Sequence, residues 1–230
     1  MLKFNYNKMK KLLFTIIAAM AATIFWAQQP LCPVKEGVVL TYATKDAKGK
    51  VKSFVRQTVT SIEGSGSNQK ITYSSEALDS KKKPEANIPV ITYSYNVKDG
   101  AVVIDPKSIL NSITTGSPAD GTVEGTSMVL PANMKPGDAL PDCEMKMQIA
   151  FIKISAAYTE GVCESEEMLT TEAGTFPCKK TKYNCKSSAV GIKSEMVIYT
   201  WYAPGIGVVK TEIYNKGKLN SIQELVELKA

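Results

Sequence analysis

Carboxylates are the residues of this sequence that could carry out catalysis, because histidine is absent from all 230 positions. Without imidazole, Ser-His-Asp and Cys-His nucleophiles, histidine-ligated zinc and histidine-based proton transfer are all excluded. Paired carboxylates could still perform acid-base chemistry of the kind that glycosidases use. The candidates are Glu164, Glu166 and Glu167 on a predicted strand, and Asp138 and Asp142 beside a Pro-Gly turn. We interpret them as a solvated strand face and turn caps, so the sequence predicts no enzyme.

Aromatic residues that gather in predicted strands are the candidates for a binding pocket. In a curled sheet they could line a pocket for an apolar or sugar-like ligand, although core packing is the commoner role of such side chains. The candidate pocket residues are Tyr73, Tyr93, Tyr95, Tyr199 and Trp201, with Tyr202 next to them.

The stretch TWYAPGIGVVKTEIY, from Thr200 to Tyr214, resembles a ligand-binding loop at first sight. Pro204 fixes φ, and Gly205 and Gly207 permit a sharp bend. A phosphate-binding loop opens a helix, whose N-terminus supplies a positive dipole. Because β-branched residues follow here, the stretch predicts a tight connection between two strands.

The N-terminal segment, residues 1–27, has the pattern of a secretory signal peptide. Four lysines precede an apolar run from Leu12 to Trp26, and a polar break follows. We expect cleavage between Ala27 and Gln28, which leaves residues 28–230 as a single β-rich domain. The apolar run is shorter than the roughly 18 residues of a spanning helix, so no transmembrane span is expected in the mature chain. The prediction is export to the periplasm or outer cell envelope, or secretion.

Five cysteines remain after the predicted cleavage. In an oxidising compartment an odd count indicates up to two disulfides and one leftover thiol. No C-x-x-C pair is present, so we expect no metal, and no cofactor is indicated. Cys178 and Cys185 lie in one predicted strand, roughly 23 Å apart, which is too far for a bond to each other. A lipid anchor on Cys32 is disfavoured, because no small residue precedes it.

Most of the net positive charge lies in the N-terminal segment. Removing residues 1–27 lowers the formal charge from +6 to +2, and Arg56 is the only arginine. Arginine's bidentate fork is the usual means of recognising phosphates and base edges. Nucleic acid is therefore not expected as a partner. The run of lysines from Lys81 to Lys83 lies among polar residues and indicates a solvated loop.

Strands must position all of these residues, because hydrophobic alternation and turn signals recur over almost the entire mature chain. Hairpins are predicted at Lys45–Lys50 and at Lys98–Gly100, where Asp-Gly suits the positive φ of a primed turn. Pro106–Ile113 is the one predicted helix, and Thr114–Gly125 is predicted as a loop. Between Cys143 and Ser155 the apolar positions change parity, which indicates a β-bulge or sharp bend. We expect an all-β fold of about ten to twelve strands, in one curled antiparallel sheet that forms a barrel or half-barrel.

Five motifs occur in a fixed order along the mature chain: PVKEGVVLTYATKDAKGK, YNVKDGAVVID, MVLPANMKPGDALPDCEM, TTEAGTFPCKKTKY and WYAPGIGVVKTEIYNKGKL. With these motifs, which span Pro33 to Leu228, the chain resembles the TapB family of secreted or envelope proteins of the Bacteroidetes. That family is akin to a β-rich family of unknown function. The resemblance implies an envelope protein with an antiparallel, barrel-like fold, and it supplies no catalytic residues.

The resemblance also bears on the cysteines. Relatives of this kind commonly have a cysteine at the position of Cys178, and another precedes the P-x-x-E-G opening, as Cys32 does. The resemblance thus implies a Cys32–Cys178 disulfide, and we take Cys143–Cys163 as the second candidate pair. Other pairings stay open, because Val97 stands where relatives often have a further cysteine.

We therefore expect a non-catalytic envelope protein that binds a lipophilic ligand or another envelope component. The alternative is an interaction or scaffold protein without a small ligand. A carboxylate-dependent hydrolase is the less favoured third hypothesis.

Overall fold

A computed structural model of the chain describes residues 29–114 and 121–230, which fold almost entirely into β-strands. The predicted cleavage site at Ala27 and Gln28 lies outside the described residues. The elements are β1 Val39–Asp46, β2 Val51–Ser65, β3 Asn68–Leu78, β4 Ile91–Lys98, β5 Ala101–Ile104, α1 Pro106–Thr114, β6 Gly121–Gly125, β7 Met128–Leu130, β8 Ala139–Leu140, β9 Cys143–Ile149, β10 Ile152–Thr171, β11 Gly174–Ala189, β12 Ile192–Ala203, β13 Gly207–Asn215 and β14 Lys218–Lys229.

The strands form a single antiparallel sheet that is not closed. Its order is β6-β9-β10-β11-β12-β13-β14-β1-β2-β3-β4-β5-β7, and the two-residue β8 pairs with β10. Most neighbours are consecutive hairpins, whereas the last strand, β14, pairs with the first, β1. The predicted all-β class and single curled sheet are confirmed. The described residues contain fourteen strands, more than the roughly ten to twelve predicted. The prediction was too low because β6, β7 and β8 are too short to show an alternating pattern in the sequence.

The sheet curls into a half-barrel. β10 approaches β14 although three strands lie between them, and α1 packs against both β4 and β6. Since β4 and β6 lie near opposite ends of the strand order, the helix spans the gap between the two ends of the open sheet. The twist between neighbouring strands makes a long meander curl in this way.

The predicted helix is confirmed at Pro106–Thr114. Proline suits a first helical position because its missing N–H has no partner there, and the Asp105 carboxylate accepts a hydrogen bond from the Lys107 N–H at 2.8 Å. Among the residues that the structure describes, no helix is long and apolar enough to cross a membrane. The predicted loop Thr114–Gly125 was wrong in its last part, where β6 pairs with β9.

The parity change between Cys143 and Ser155 is a hairpin between two strands, not the predicted β-bulge or sharp bend within one strand. β9 ends at Ile149, which lies opposite Ile152 at the start of β10. Ala150 in the turn has a φ of 51°, the left-handed conformation that a two-residue turn needs. The prediction was wrong because the turn, Ala150-Phe151, contains none of the residues that usually signal one.

Neither predicted disulfide is present: all five cysteines are buried and free. Cys143 lies opposite Tyr158 on β10, and Cys163 is five residues further along that strand, roughly 15 Å away. A disulfide needs Cα atoms within about 7 Å, so the Cys143–Cys163 prediction was wrong. The Cys32–Cys178 pair is not supported either. Cys32 packs near Gly207 on β13, and β12 separates β13 from the strand that carries Cys178.

Candidate functional site

A cavity of about 220 Å³ lies inside the half-barrel. Its walls come from residues 29–38, which precede β1 and form the N-terminal segment of the described structure, and from both halves of the sheet, so it exists only because the sheet curls. Most of the wall is apolar. The apolar lining residues are Leu31, Pro33, Leu40, Val102, Ile104, Leu130, Ile206 and Val208.

Four tyrosines line this cavity: Tyr42, Tyr73, Tyr95 and Tyr202. The β3–β4 register places Tyr73 and Tyr95 on one face of the sheet, and their ring centroids lie 5.2 Å apart. Burial raises the pKa of all four hydroxyls above the ordinary tyrosine value. The hydroxyls are therefore neutral near pH 7, and each offers one donor and an acceptor oxygen.

The hydroxyls of Tyr42 and Tyr73 differ in their hydrogen bonding. The Tyr42 hydroxyl donates to the Val208 carbonyl at 3.0 Å. The Tyr73 side chain is 1% exposed, and its hydroxyl has no hydrogen-bond partner among the described residues. Buried polar atoms are nearly always paired, because an unpaired one loses its interaction with water without replacement. The Tyr73 hydroxyl is thus a buried polar atom without a partner in a residue of the cavity wall; the hydroxyl of Tyr93, outside the cavity lining, is likewise unpaired among the described residues.

The remaining polar lining consists of Gln57, Gln223 and Cys32. Burial raises the pKa of the Cys32 thiol to about 12, so this group is also neutral near pH 7. The described residues that line the cavity therefore include no charged side chain, and the cavity suits an uncharged ligand.

The glycine-rich stretch that resembled a ligand loop forms part of the cavity wall. It connects β12 to β13, as predicted, and Gly205 and Gly207 have φ values of 71° and 96°. The Gly205 N–H donates to the Pro30 carbonyl at 2.8 Å. A Cβ on Gly207 would lie 3.4 Å from the Cys32 Cα. The turn thus packs against the N-terminal segment at the cavity wall. The sequence pattern did not predict this contact.

The predicted pocket aromatics divide between two places. Tyr73 and Tyr95 lie in the cavity wall, and the Tyr93 ring stacks on Tyr73 with centroids 5.3 Å apart. Tyr199 and Trp201 lie on the opposite face of β12 from Tyr202, because side chains alternate along a strand. There the Lys180 ammonium lies 4.7 Å from the Tyr199 ring centroid and 5.3 Å from that of Trp201.

The candidate catalytic carboxylates all have structural partners, and none lines the cavity. The partners fall into three kinds: lysine ammonium groups, an indole N–H and backbone N–H groups in turns. Glu164 pairs with Lys180 at 2.8 Å, Glu166 pairs with Lys179, Glu167 accepts from Trp201 Nε1 at 2.5 Å, Asp138 accepts from the Lys135 N–H at 2.7 Å, and Asp142 accepts from the Glu160 N–H at 3.0 Å.

Comparison with known proteins places this fold in a family. A family model described as DUF3108-like matches residues 35–225. A proposed exported protein with a YmcC-like fold from Bacteroides fragilis is 23% identical, with a TM-score of 0.70 over 88% of this chain and 100% of that chain. A proposed lipoprotein from Parabacteroides distasonis is 24% identical, with a TM-score of 0.70 over 87% of this chain and 99% of that chain. No match was found among curated proteins.

Because the family model covers most of its length, the chain belongs to the DUF3108-like family. This agrees with the relation to a β-rich family of unknown function that the five motifs indicated. The TapB name itself stays a prediction.

Proposed function

We propose that this member of the DUF3108-like family is a non-catalytic protein of the cell envelope that holds a small lipophilic group in its tyrosine-lined cavity. The observation that carries the proposal is the unpaired, buried hydroxyl of Tyr73 in a wall whose described residues are all uncharged. A cavity that served only packing would have no use for that hydroxyl, since phenylalanine would fill the same space at lower cost.

The volume limits what the cavity could hold. At about 220 Å³, it exceeds the roughly 150 Å³ of an engineered apolar cavity that binds benzene. It is smaller than the roughly 300–1,000 Å³ of sites for drug-sized ligands. The ligand would therefore insert one ring or one short segment of an acyl chain. A single hydroxyl or carbonyl group on it would pair with Tyr73, and the neutral wall disfavours a charged group at that depth.

Export is the second part of the proposal. The pattern of residues 1–27 is that of a signal peptide, and the two structural neighbours are described as a proposed exported protein and a proposed lipoprotein. The resemblance to TapB proteins points to the same compartment. We propose the periplasm or the outer cell envelope as the location, with secretion as the alternative.

The test is recovery of a ligand from the processed protein, purified from the envelope of cells that express the complete chain. Native mass spectrometry and organic extraction should recover a lipophilic molecule that co-purifies with the wild type. Tyr73→Phe should reduce its recovery, because the ring remains and only the polar partner is lost. Tyr158→Phe is the matched control, since that tyrosine is partly buried against the same core but lies outside the cavity lining.

Two results would overturn the ligand proposal. One is a wild-type protein with no co-purifying molecule, which would favour a scaffold role without a small ligand. The other is equal recovery from Tyr73→Phe and the wild type.

A further inference from the structure

Exposed hydrophobic side chains are concentrated at one end of the half-barrel. Antiparallel pairing brings to this end the β1–β2, β9–β10, β11–β12 and β13–β14 turns and the longer β3–β4 connection. Of the eight exposed large hydrophobic side chains among the described residues, six lie here. They are Ile88, Val90, Phe151, Ile152, Val190 and Ile192. Single exposed apolar residues are ordinary, whereas a concentration of them marks an interaction site.

Four of these side chains form one continuous patch on two neighbouring hairpin tips. β10 and β11 are adjacent, with Ile154 opposite Ala189, and the Val190 N–H donates to the Lys153 carbonyl at 3.3 Å. The β9–β10 turn carries Phe151, which is 90% exposed, and the β11–β12 turn carries Val190, which is 73% exposed. With Ile152 and Ile192 they make up what we call the hairpin patch.

Val190 has a backbone conformation that its side chain disfavours. Its φ is 51°, in the left-handed region where a β-branched residue is an outlier and where asparagine or glycine is usual in a two-residue hairpin turn. Folding alone would favour one of those residues. A strained apolar residue at an exposed turn tip therefore points to a role in binding and not in folding.

Lysines surround the hairpin patch. Lys153 and Lys193 lie within two residues of the tips, roughly 3–7 Å behind them along the strands, and neither forms an ion pair with any described residue. Further lysines belong to the other connections at this end: Lys48, Lys50, Lys81, Lys82, Lys83 and Lys216. We call the whole surface the lysine-rich end. The hairpin turns at the opposite end contain no lysine among the described residues and carry Asp99 and Glu172.

Asp46, Asp79 and Glu85 are acidic residues of this end that lie in or beside the β1–β2 and β3–β4 connections and not on the two hairpin tips. Asp46 accepts hydrogen bonds from the backbone N–H groups of Lys48 and Lys50, and Asp79 accepts from those of Lys81 and Lys83. Further from the tips, Glu144 and Glu195 pair with Lys146 and Lys186. Lys153 and Lys193 next to the hairpin patch are thus cationic groups without an ion-pair partner among the described residues.

We propose that the lysine-rich end docks on an anionic membrane surface. Phe151, Val190 and Ile192 would enter the boundary between headgroups and acyl chains, while Lys153 and Lys193 meet lipid phosphates. Apolar groups buried about 5–10 Å deep with cationic groups just behind them are the arrangement of interfacial membrane binders. A second copy of the chain is the poorer occupant, because four side chains bury less than a stable interface needs and the lysines of two copies would repel each other.

This proposal concerns a different surface from the cavity and does not depend on ligand binding. It is tested by co-sedimentation of the processed protein with vesicles. The vesicles contain either phosphatidylcholine alone or equimolar phosphatidylcholine and phosphatidylglycerol. Binding should require the anionic lipid and weaken as salt screens the lysines.

Variants assign the binding to named groups. Phe151→Ser combined with Val190→Asn should lower the vesicle affinity roughly tenfold or more, from the apolar area withdrawn from lipid. Asparagine tolerates the left-handed conformation, so this change should not disturb the turn. Lys153→Gln and Lys193→Gln should each lower the affinity about fivefold. The controls are Met168→Ser, at a side chain that is 64% exposed on β10 near the opposite end, and Lys98→Gln beside the β4–β5 turn.

A fluorescence measurement tests the depth of insertion. Among the described residues Trp201 is the one tryptophan, and it is buried, so Phe151→Trp provides a distinct signal. Its emission should shift to the blue with anionic vesicles and be quenched by brominated acyl chains. The proposal is overturned if the paired variants bind vesicles as well as the controls do. It is also overturned if vesicles do not bind while sedimentation velocity shows self-association that Val190→Asn abolishes.

Discussion

The unpaired hydroxyl of Tyr73 gives a prediction whose sign can be checked against a neighbour in the same cavity. Tyr73→Phe should stabilise the ligand-free protein, because the variant keeps the ring and its stacking on Tyr93 but removes a buried hydroxyl without a partner. An unsatisfied buried group costs about 1–3 kcal/mol. We take the lower end of this range, about 1 kcal/mol, as the expected gain in the free energy of unfolding. Burying an unpaired phenol hydroxyl costs less desolvation free energy than burying an unpaired amide.

Tyr42→Phe makes the same chemical change in the same cavity and should act in the opposite direction. The Tyr42 hydroxyl donates to the Val208 carbonyl at 3.0 Å, and the loss of such a bond costs about 1 kcal/mol. Urea unfolding is the assay. With a slope of about 2 kcal/mol per molar urea, the midpoints should move about 0.5 M up for Tyr73→Phe and about 0.5 M down for Tyr42→Phe.

The result that would refute this reasoning is a loss of stability in ligand-free Tyr73→Phe as large as that in Tyr42→Phe. The Tyr73 hydroxyl would then have a partner within the folded protein, and it would no longer point to a ligand. Protein that retains its ligand should behave differently from extracted protein. In the ligand-bound protein, Tyr73→Phe should be less stable than the wild type, because a ligand that binds more tightly stabilises the folded state more.

Four further predictions concern the packing at Gly161, the cysteines and the turn at Val190. Gly161→Ala should lower the free energy of unfolding by about 2 kcal/mol, because a Cβ there would lie 2.3 Å from a ring carbon of Tyr183; an unchanged urea midpoint would contradict this packing. All five thiols should resist a thiol reagent at pH 8 in the native protein, and all five should react after the protein is unfolded without reductant. Fewer than five reactive thiols in the unfolded protein would indicate a disulfide. Burial raises the pKa of Cys143 to about 11 and that of Cys32 to about 12. Their contribution to stability is therefore complete below the unfolded value of about 9 and should be lost as the pH rises through 11 to 12, which thermal unfolding at increasing pH would show. Val190→Gly should raise the free energy of unfolding by about 1 kcal/mol while weakening vesicle binding, and a loss of stability would mean that φ at this position is not strained.

Local sequence patterns predicted much of this fold because antiparallel hairpins are local structures. The Asp99-Gly100 turn illustrates this: both residues have positive φ, as the sequence indicated. The β9–β10 turn could not be predicted in the same way. Ala150 takes up the left-handed conformation there without being a residue type that favours it, so the parity change was open to two interpretations. The β9–β10 pairing, with Ile149 opposite Ile152, is local, but no residue type in the turn signals it.

The candidate site was less predictable than the strands, because it depends on how the sheet curls. Alternation places Tyr73 and Tyr95 on one face, so their proximity follows from the β3–β4 hairpin. Gln223 joins them only because β14 returns to pair with β1. The contribution of Gly207 depends on the N-terminal segment packing against it. The disulfide predictions failed for a related reason, since cysteine pairing depends on strand register that spacing alone does not determine.

Tyr73 and Val190 each depart from what folding alone would favour, and they lie at different places in the half-barrel. Tyr73 holds an unpaired hydroxyl in the cavity, which lies under Gly207 and the N-terminal segment, toward the end opposite the lysine-rich end. Val190 holds a strained backbone at the tip of the lysine-rich end. Each has a substitute that should make the protein more stable, phenylalanine in the first case and glycine in the second. Because the two sites share no residue, each substitution should weaken one proposed activity and leave the other intact. If either variant abolished both ligand recovery and vesicle binding, the two features would belong to one site, and the separation drawn from the fold would be wrong.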